Sequence, residues 1–112
     1  MWEITDEFQR VRKIDETTFQ VIDMYKDFED TIFFVLNIEI DLKDYDEKNI
    51  ENIVIGYYES IEDFKSFCEN QEDYNQLLAE MIAEQTGGIE HCKSFTDEKQ
   101  ALIYLEELQK TI

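Results

Sequence analysis

The stretch from Asp30 to Leu42, DTIFFVLNIEIDL, decides the fold. In an extended chain successive side chains point to opposite faces. Ile32, Phe34, Leu36, Ile38, Ile40 and Leu42 then share one face, and Thr31, Phe33, Val35, Asn37, Glu39 and Asp41 share the other. The first face is wholly apolar and is expected to be core. The second begins apolar and ends acidic, so it is expected to be covered at one end and wet at the other.

Upstream, Phe8 to Ile14 and Thr17 to Tyr25 read as strands flanking a hairpin turn at Asp15-Glu16. Ile4, Phe8 and Val11 also fit helical spacing, which leaves the first element open between strand and helix. Downstream, residues 43–49 (KDYDEKN) form a polar connection and Ile50 to Tyr58 a fourth strand. Ser60 is placed to cap a helix that carries Ile61, Phe64, Phe67 and Cys68 inward. A second helix runs from about Gln71 to Gln85, with Tyr74, Leu77, Leu78, Met81 and Ile82 inward and Gly87-Gly88 as its stop. Ile89 to Phe95 reads as a short strand. A last helix, capped by Thr96, buries Ala101, Leu102, Leu105 and Leu108. The expected fold is a single α+β domain over residues 1–112. It has an antiparallel four- to five-stranded sheet, opening as an N-terminal β-meander, with about three helices packed on one face.

The chain has 112 residues, with 28 acidic side chains against 10 basic ones, a formal net charge of −18. Eight Phe, six Tyr and one Trp provide a real core and set it apart from disordered acidic chains. Such a charge disfavours direct binding to nucleic acid, where Lys and Arg must displace counterions. It also disfavours anionic membrane surfaces. The acidic amino terminus lacks the pattern of a secretory signal, and the longest apolar run, Ile32 to Leu36, is far too short to span a bilayer. With two cysteines, Cys68 and Cys92, and no disulfide framework, a cytoplasmic location is expected. Abundant Ile, Lys, Asn, Phe and Tyr hint at an AT-rich genome, as in a low-GC bacterium or its phage.

Catalytic chemistry finds little footing. His91 and Cys92 are adjacent, so on a strand they point apart and form no nucleophile–base pair. One His and two Cys are too few for structural zinc. The acidic run from Asp44 fails the EF-hand pattern, having Asn49 at the glycine position and Ile55 where the bidentate Glu belongs. No catalytic residue, metal ligand or cofactor is expected.

The placement of the charge is therefore the question. Residues 1–13 sum to zero, 14–58 to −9 and 59–112 to −9, so no acidic tail carries it. Arg10, Arg12 and Lys13 are expected to pair with acids within the molecule. A monomer of this mass exposes roughly 6,500 Å², about one net charge per 360 Å². A DNA duplex has about one per 110 Å², so an imitation of nucleic acid would have to gather its acids on one side. Two patches are candidates. Asp73, Gln76, Glu80 and Glu84 form a stripe along the second helix, which is expected to start after a break near Asn70, with Glu69 just before it. Carboxylates spaced i, i+4 there repel by only about 0.7 kcal/mol in water. Glu39, Asp41, Asp44, Asp46 and Glu47 form the second patch, with Tyr45, Tyr57 and Tyr58 as possible aromatic anchors.

In size and charge the chain resembles DNA-mimic inhibitors and some anti-CRISPR proteins of phage. That resemblance implies an inhibitor whose partner is a basic, nucleic-acid-binding protein. An immunity or antitoxin-like protein against a basic nuclease is the alternative, and a small enzyme using carboxylates or Cys92 a lesser one.

Overall fold

A computed structural model describes residues 2–86 and 89–110. The strands are β1 (Glu3–Ile4), β2 (Arg10–Lys13), β3 (Thr18–Lys26), β4 (Phe33–Asp41) and β5 (Cys92–Phe95). The helices are α1 (Glu47–Val54), α2 (Ile61–Ser66), α3 (Gln71–Thr86) and α4 (Glu98–Lys110). The sheet order follows the chain, β1-β2-β3-β4-β5, and every pair is antiparallel. This is the expected single α+β domain with an N-terminal meander.

β3 and β4 form its spine, paired over nine residues with Phe19 opposite Ile40, Val21 opposite Ile38 and Tyr25 opposite Phe34. The face predicted to be core carries Leu36, Ile38 and Ile40 into a cluster with Val11, Phe19 and Val21. α1, α2 and α3 close it with Ile53, Val54, Phe64, Leu78 and Ile82. Phe64 and Val54 are fully inaccessible, and each such side chain contributes about 1.5–3 kcal/mol of burial.

The helices do not all lie on one face. α1 to α3 do, but α4 packs on the other, where Ala101 and Leu105 meet Ile22, Met24, Phe33 and Val35. Phe33 and Val35 are the apolar beginning of the mixed face, and a helix is needed to cover them. Further along that face Gln20 and Asn37 hydrogen-bond each other at 2.8 Å and Glu39 is exposed. The expectation of one covered and one wet end is met.

The expected fourth strand is a helix. Ile53-Val54-Ile55 is a β-branched run that favours strand by propensity, but Asp46 and Asn49 build a capping box that starts α1. Asp46 Oδ1 accepts from the Asn49 backbone N–H at 2.8 Å, and Asn49 Oδ1 accepts from the Asp46 N–H at 3.3 Å. Ile50, Ile53 and Val54 then fall on one helical stripe, leaving Ile55 54% exposed. β1, which sequence reading missed, supplies the fifth strand instead. The first element is extended, so its helical alternative fails.

Other boundaries follow their caps. Ser60 Oγ accepts from the Asp63 N–H at 3.0 Å, and Asn70 Oδ1 from the Asp73 N–H at 2.9 Å, which fixes the break between α2 and α3. Asp97 rather than Thr96 caps α4, accepting from the Lys99 N–H. Phe67, expected inside, is 66% exposed because α2 ends one residue before it. Gly87 and Gly88, the expected stop of α3, lie outside the described residues. No helix among the described residues is long and apolar enough to cross a membrane.

Candidate acidic protein interface

The β-strand alternation of β2 decides where the basic cluster goes. Arg10 and Arg12 share the α4 face of the sheet, while Val11 and Lys13 share the α3 face. Arg10 Nη1 donates to the backbone carbonyls of Asp6, Glu7 and Gln9 at 3.1–3.3 Å. Arg12 lies 4.9 Å over the Trp2 ring, and its Nε donates to Gln20 Oε1. Lys13 alone behaves as expected, bridging Glu16 at 3.6 Å and Glu72 at 3.5 Å. Among the described residues the one further ion pair is Lys26–Glu98. Within residues 1–13 the arginines thus serve backbone and ring, and Glu3, Asp6 and Glu7 are in no ion pair among the described residues.

Those acids meet the second half of α3. Asp6, Glu7, Asp23, Tyr25 and Glu84 line a cavity of about 300 Å³. An adjoining cavity of about 350 Å³ shares Gln9 and Glu84 with it and adds Tyr57, Tyr58, Leu77 and Glu80. Together they make one acidic cleft rimmed by tyrosines, along the edge where the β1–β2 end of the sheet meets α3.

Its electrostatics are tense. Asp23 Oδ1 accepts from the Met24 N–H at 2.7 Å, yet burial, with the charges of Asp6 and Glu84, pushes its carboxyl up to about 6. Burial, with Asp23 and Glu84 beside it, also pushes the Tyr25 phenol up. Tyr57 moves the same way, through burial and then Glu84. Glu80 is half-buried, and its carboxyl is raised first by burial and also by Glu3, with Thr5 and Gln76 opposing. Its Oε1 has no hydrogen-bond partner among the described residues.

The predicted stripe on α3 exists as a spacing but does not form an open face. Asp73, Gln76 and Glu80 are half-buried against the rest of the molecule, and only the two ends, Glu69 just before the helix and Glu84, are exposed. Glu80 and Glu84 belong to the cleft. Asp73 sits in the first turn of α3 and Glu69 just before its cap Asn70, and neither is part of the cleft. The second patch is divided by the sheet. Glu39 and Asp41 are on the α4 face, opposite α3, while Asp44, Asp46 and Glu47 follow β4 into α1. Asp41 and Asp46 are committed locally: Asp41 accepts from the Lys43 N–H and the Thr17 hydroxyl, and Asp46 caps α1. The sheet therefore lies between Glu39 and α3, and the two patches do not merge.

Averaged over the 7,388 Å² of accessible surface, 18 net charges give one per about 410 Å². The average is far below that of a duplex, so any imitation of nucleic acid has to be local, and the cleft is where carboxylates gather. Sequence reading missed Asp6, Glu7 and Asp23. Asp23 carried a signal, because it breaks the apolar alternation of β3 between Val21 and Tyr25. Phe28 was also missed. It stands fully exposed at the tip of the β3–β4 hairpin. Asp27 fixes that tip by accepting from the Thr31 and Ile32 N–H groups and the Thr31 hydroxyl. Asp30 takes the left-handed conformation there, at φ 57°.

Nucleophile chemistry has no support at the one pair considered. His91 is exposed, Cys92 packs against the core, and burial raises the Cys92 thiol. Cys68 is raised likewise. No group of three or more His, Cys, Asp or Glu among the described residues has the arrangement to hold a metal ion.

No family model, curated protein or solved structure matches this chain.

Proposed function

We propose that this protein is an acidic inhibitor that binds the nucleic-acid-binding surface of a basic partner protein in the cytoplasm. The observation that carries this reading is the acidic cleft. Asp6, Glu7, Asp23 and Glu84 converge on one cavity, and none of them is in an ion pair among the described residues. Burial, with the charges of Asp6 and Glu84, raises the Asp23 carboxyl to about 6, which costs the free fold stability. Such a site gains when Arg or Lys side chains arrive, because the incoming charge offsets both the repulsion and the cost of burial. Tyr57, 41% exposed at the rim, and Phe28 at the hairpin tip are the aromatic anchors that a protein partner would cover. Carboxylates would occupy the places of phosphates, association would be fast, and affinity would fall steeply with salt. The assignments to phage and to the cytoplasm rest on composition.

The test is capture of partners from a bacterial lysate at low and high salt, followed by competition with nucleic acid. Recovery of a basic nucleic-acid-binding protein, released by salt and by added nucleic acid, is the expected result. A partner insensitive to salt and to charge reversal at Asp6 and Glu84 would overturn the proposal.

A further inference from the structure

A second surface on different residues points to a ligand of different shape. A cavity of about 440 Å³ forms a groove between α1 and α2. Four apolar or aromatic side chains line it, Ile50, Ile55, Ile61 and Tyr74, among polar ones. Its rim is acidic: Glu47, Glu51, Glu59 and Glu62 are all exposed, and none is in an ion pair among the described residues. One exposed cation already lines it. The Lys65 ammonium lies 5.8 Å from the centre of the Tyr74 ring, which lines the same groove.

From this arrangement we infer that the groove receives a basic peptide segment carrying an aliphatic side chain, supplied by a partner protein. Lys65 acts as an internal placeholder that the incoming Arg or Lys displaces. Charge complementarity selects the occupant. A second copy of this chain also carries −18 and is repelled, and nucleic acid is repelled in the same way. A free polyamine would satisfy the rim but leave Ile50 and the 54%-exposed Ile55 wet. A segment with both charge and an aliphatic side chain uses the acidic rim and the apolar lining together. The inference goes beyond the inhibitor reading and does not depend on it, since the groove shares no residue with the acidic cleft.

The test is a titration of isotope-labelled protein, followed by amide chemical shifts, with a short peptide of alternating arginine and leucine. An arginine–glycine peptide of equal charge and spermine are the comparison probes. Shifts are expected at Ile50, Ile55, Ile61 and Tyr74, with the arginine–leucine peptide binding about tenfold tighter than its glycine counterpart. Lys65→Met removes the competing cation and should raise affinity about threefold, and Lys65→Arg should leave it unchanged. Glu59→Gln and Glu62→Gln should each lower it about threefold. Equal binding of spermine or of the arginine–glycine peptide would overturn the inference. So would shifts confined to the Asp23 cleft, or an affinity that Lys65→Met leaves unchanged or lowers. Concentration-dependent shifts at the groove without peptide would overturn it in favour of self-association. Because the shifts report residue by residue, failure in the groove is distinguishable from failure in the cleft.

Discussion

Replacing Asp23 with asparagine should stabilise this protein, although the carboxylate it replaces accepts a hydrogen bond in the sheet. The Asp23 carboxyl ionises near 3.8 in the unfolded chain and near 6 in the fold, raised by burial and by Asp6 and Glu84. Below about pH 4 the group is protonated in both states and costs nothing. As the pH rises toward 6 the unfolded chain releases its proton first, so stability is lost through this window, and above 6 the full cost is present. Linkage sets that cost at about 3 kcal/mol, and solvent screening of a half-buried group reduces it to about 1–2 kcal/mol. Asparagine keeps the acceptor for the Met24 N–H, which Asp23 now bonds at 2.7 Å, and removes the charge. Urea or thermal denaturation of Asp23→Asn and the parent at pH 7 should show a gain of about 1–2 kcal/mol, or about 4–8 °C in Tm. At pH 4 the gain should shrink toward zero. A variant that is less stable at pH 7, or a gain independent of pH, would refute the account of the cleft as a repulsive cluster.

Other consequences are open to direct measurement. Asp46→Ala and Asn49→Ala each remove one arm of the α1 capping box and should each cost about 1 kcal/mol in denaturant titrations. Phe64→Ala empties the centre of the helical layer and should cost about 3–5 kcal/mol, enough to abolish cooperative unfolding in a marginal domain. Trp2 Nε1 donates to the Gln109 carbonyl at 2.8 Å and ties the two ends of the chain together, so Trp2→Phe should speed amide exchange in β1 and the end of α4. Phe28→Ser should change stability by less than about 0.5 kcal/mol while weakening capture of a partner, since the exposed ring contributes nothing to the core. A changed Tm in Phe28→Ser would contradict that division of labour.

How much could be read from the sequence varied with the kind of signal. β4 was legible because its alternation is strict and its two faces differ along their length. The α2–α3 break was legible because Asn70 is a strong cap placed where an unbroken helix would have buried Gln71 and Asn75. The segment around Ile53 misled, because a β-branched run outweighed a capping box that lay just upstream in Asp46 and Asn49. The face taken by α4 is a tertiary choice: the sequence shows that Phe33 and Val35 need cover but not which helix provides it. The acidic cleft was half legible. Glu80, Glu84, Tyr57 and Tyr58 stood out by spacing and type. Asp6, Glu7 and Asp23 did not, because summing charge along the chain cancels acids against arginines that bond backbone carbonyls and stack on Trp2 rather than pairing with carboxylates.

The central claim is that the cleft competes with nucleic acid for one surface of a partner. Its most direct measurement is displacement of labelled nucleic acid from the captured partner by the parent protein and by an Asp6→Asn, Glu7→Gln, Asp23→Asn, Glu84→Gln variant. The account predicts full displacement by the parent at low salt, weakening as salt rises and as pH falls from 7 to 5, with little displacement by the folded variant. A partner that holds this protein and its nucleic acid together, or a variant that displaces as well as the parent, would contradict it.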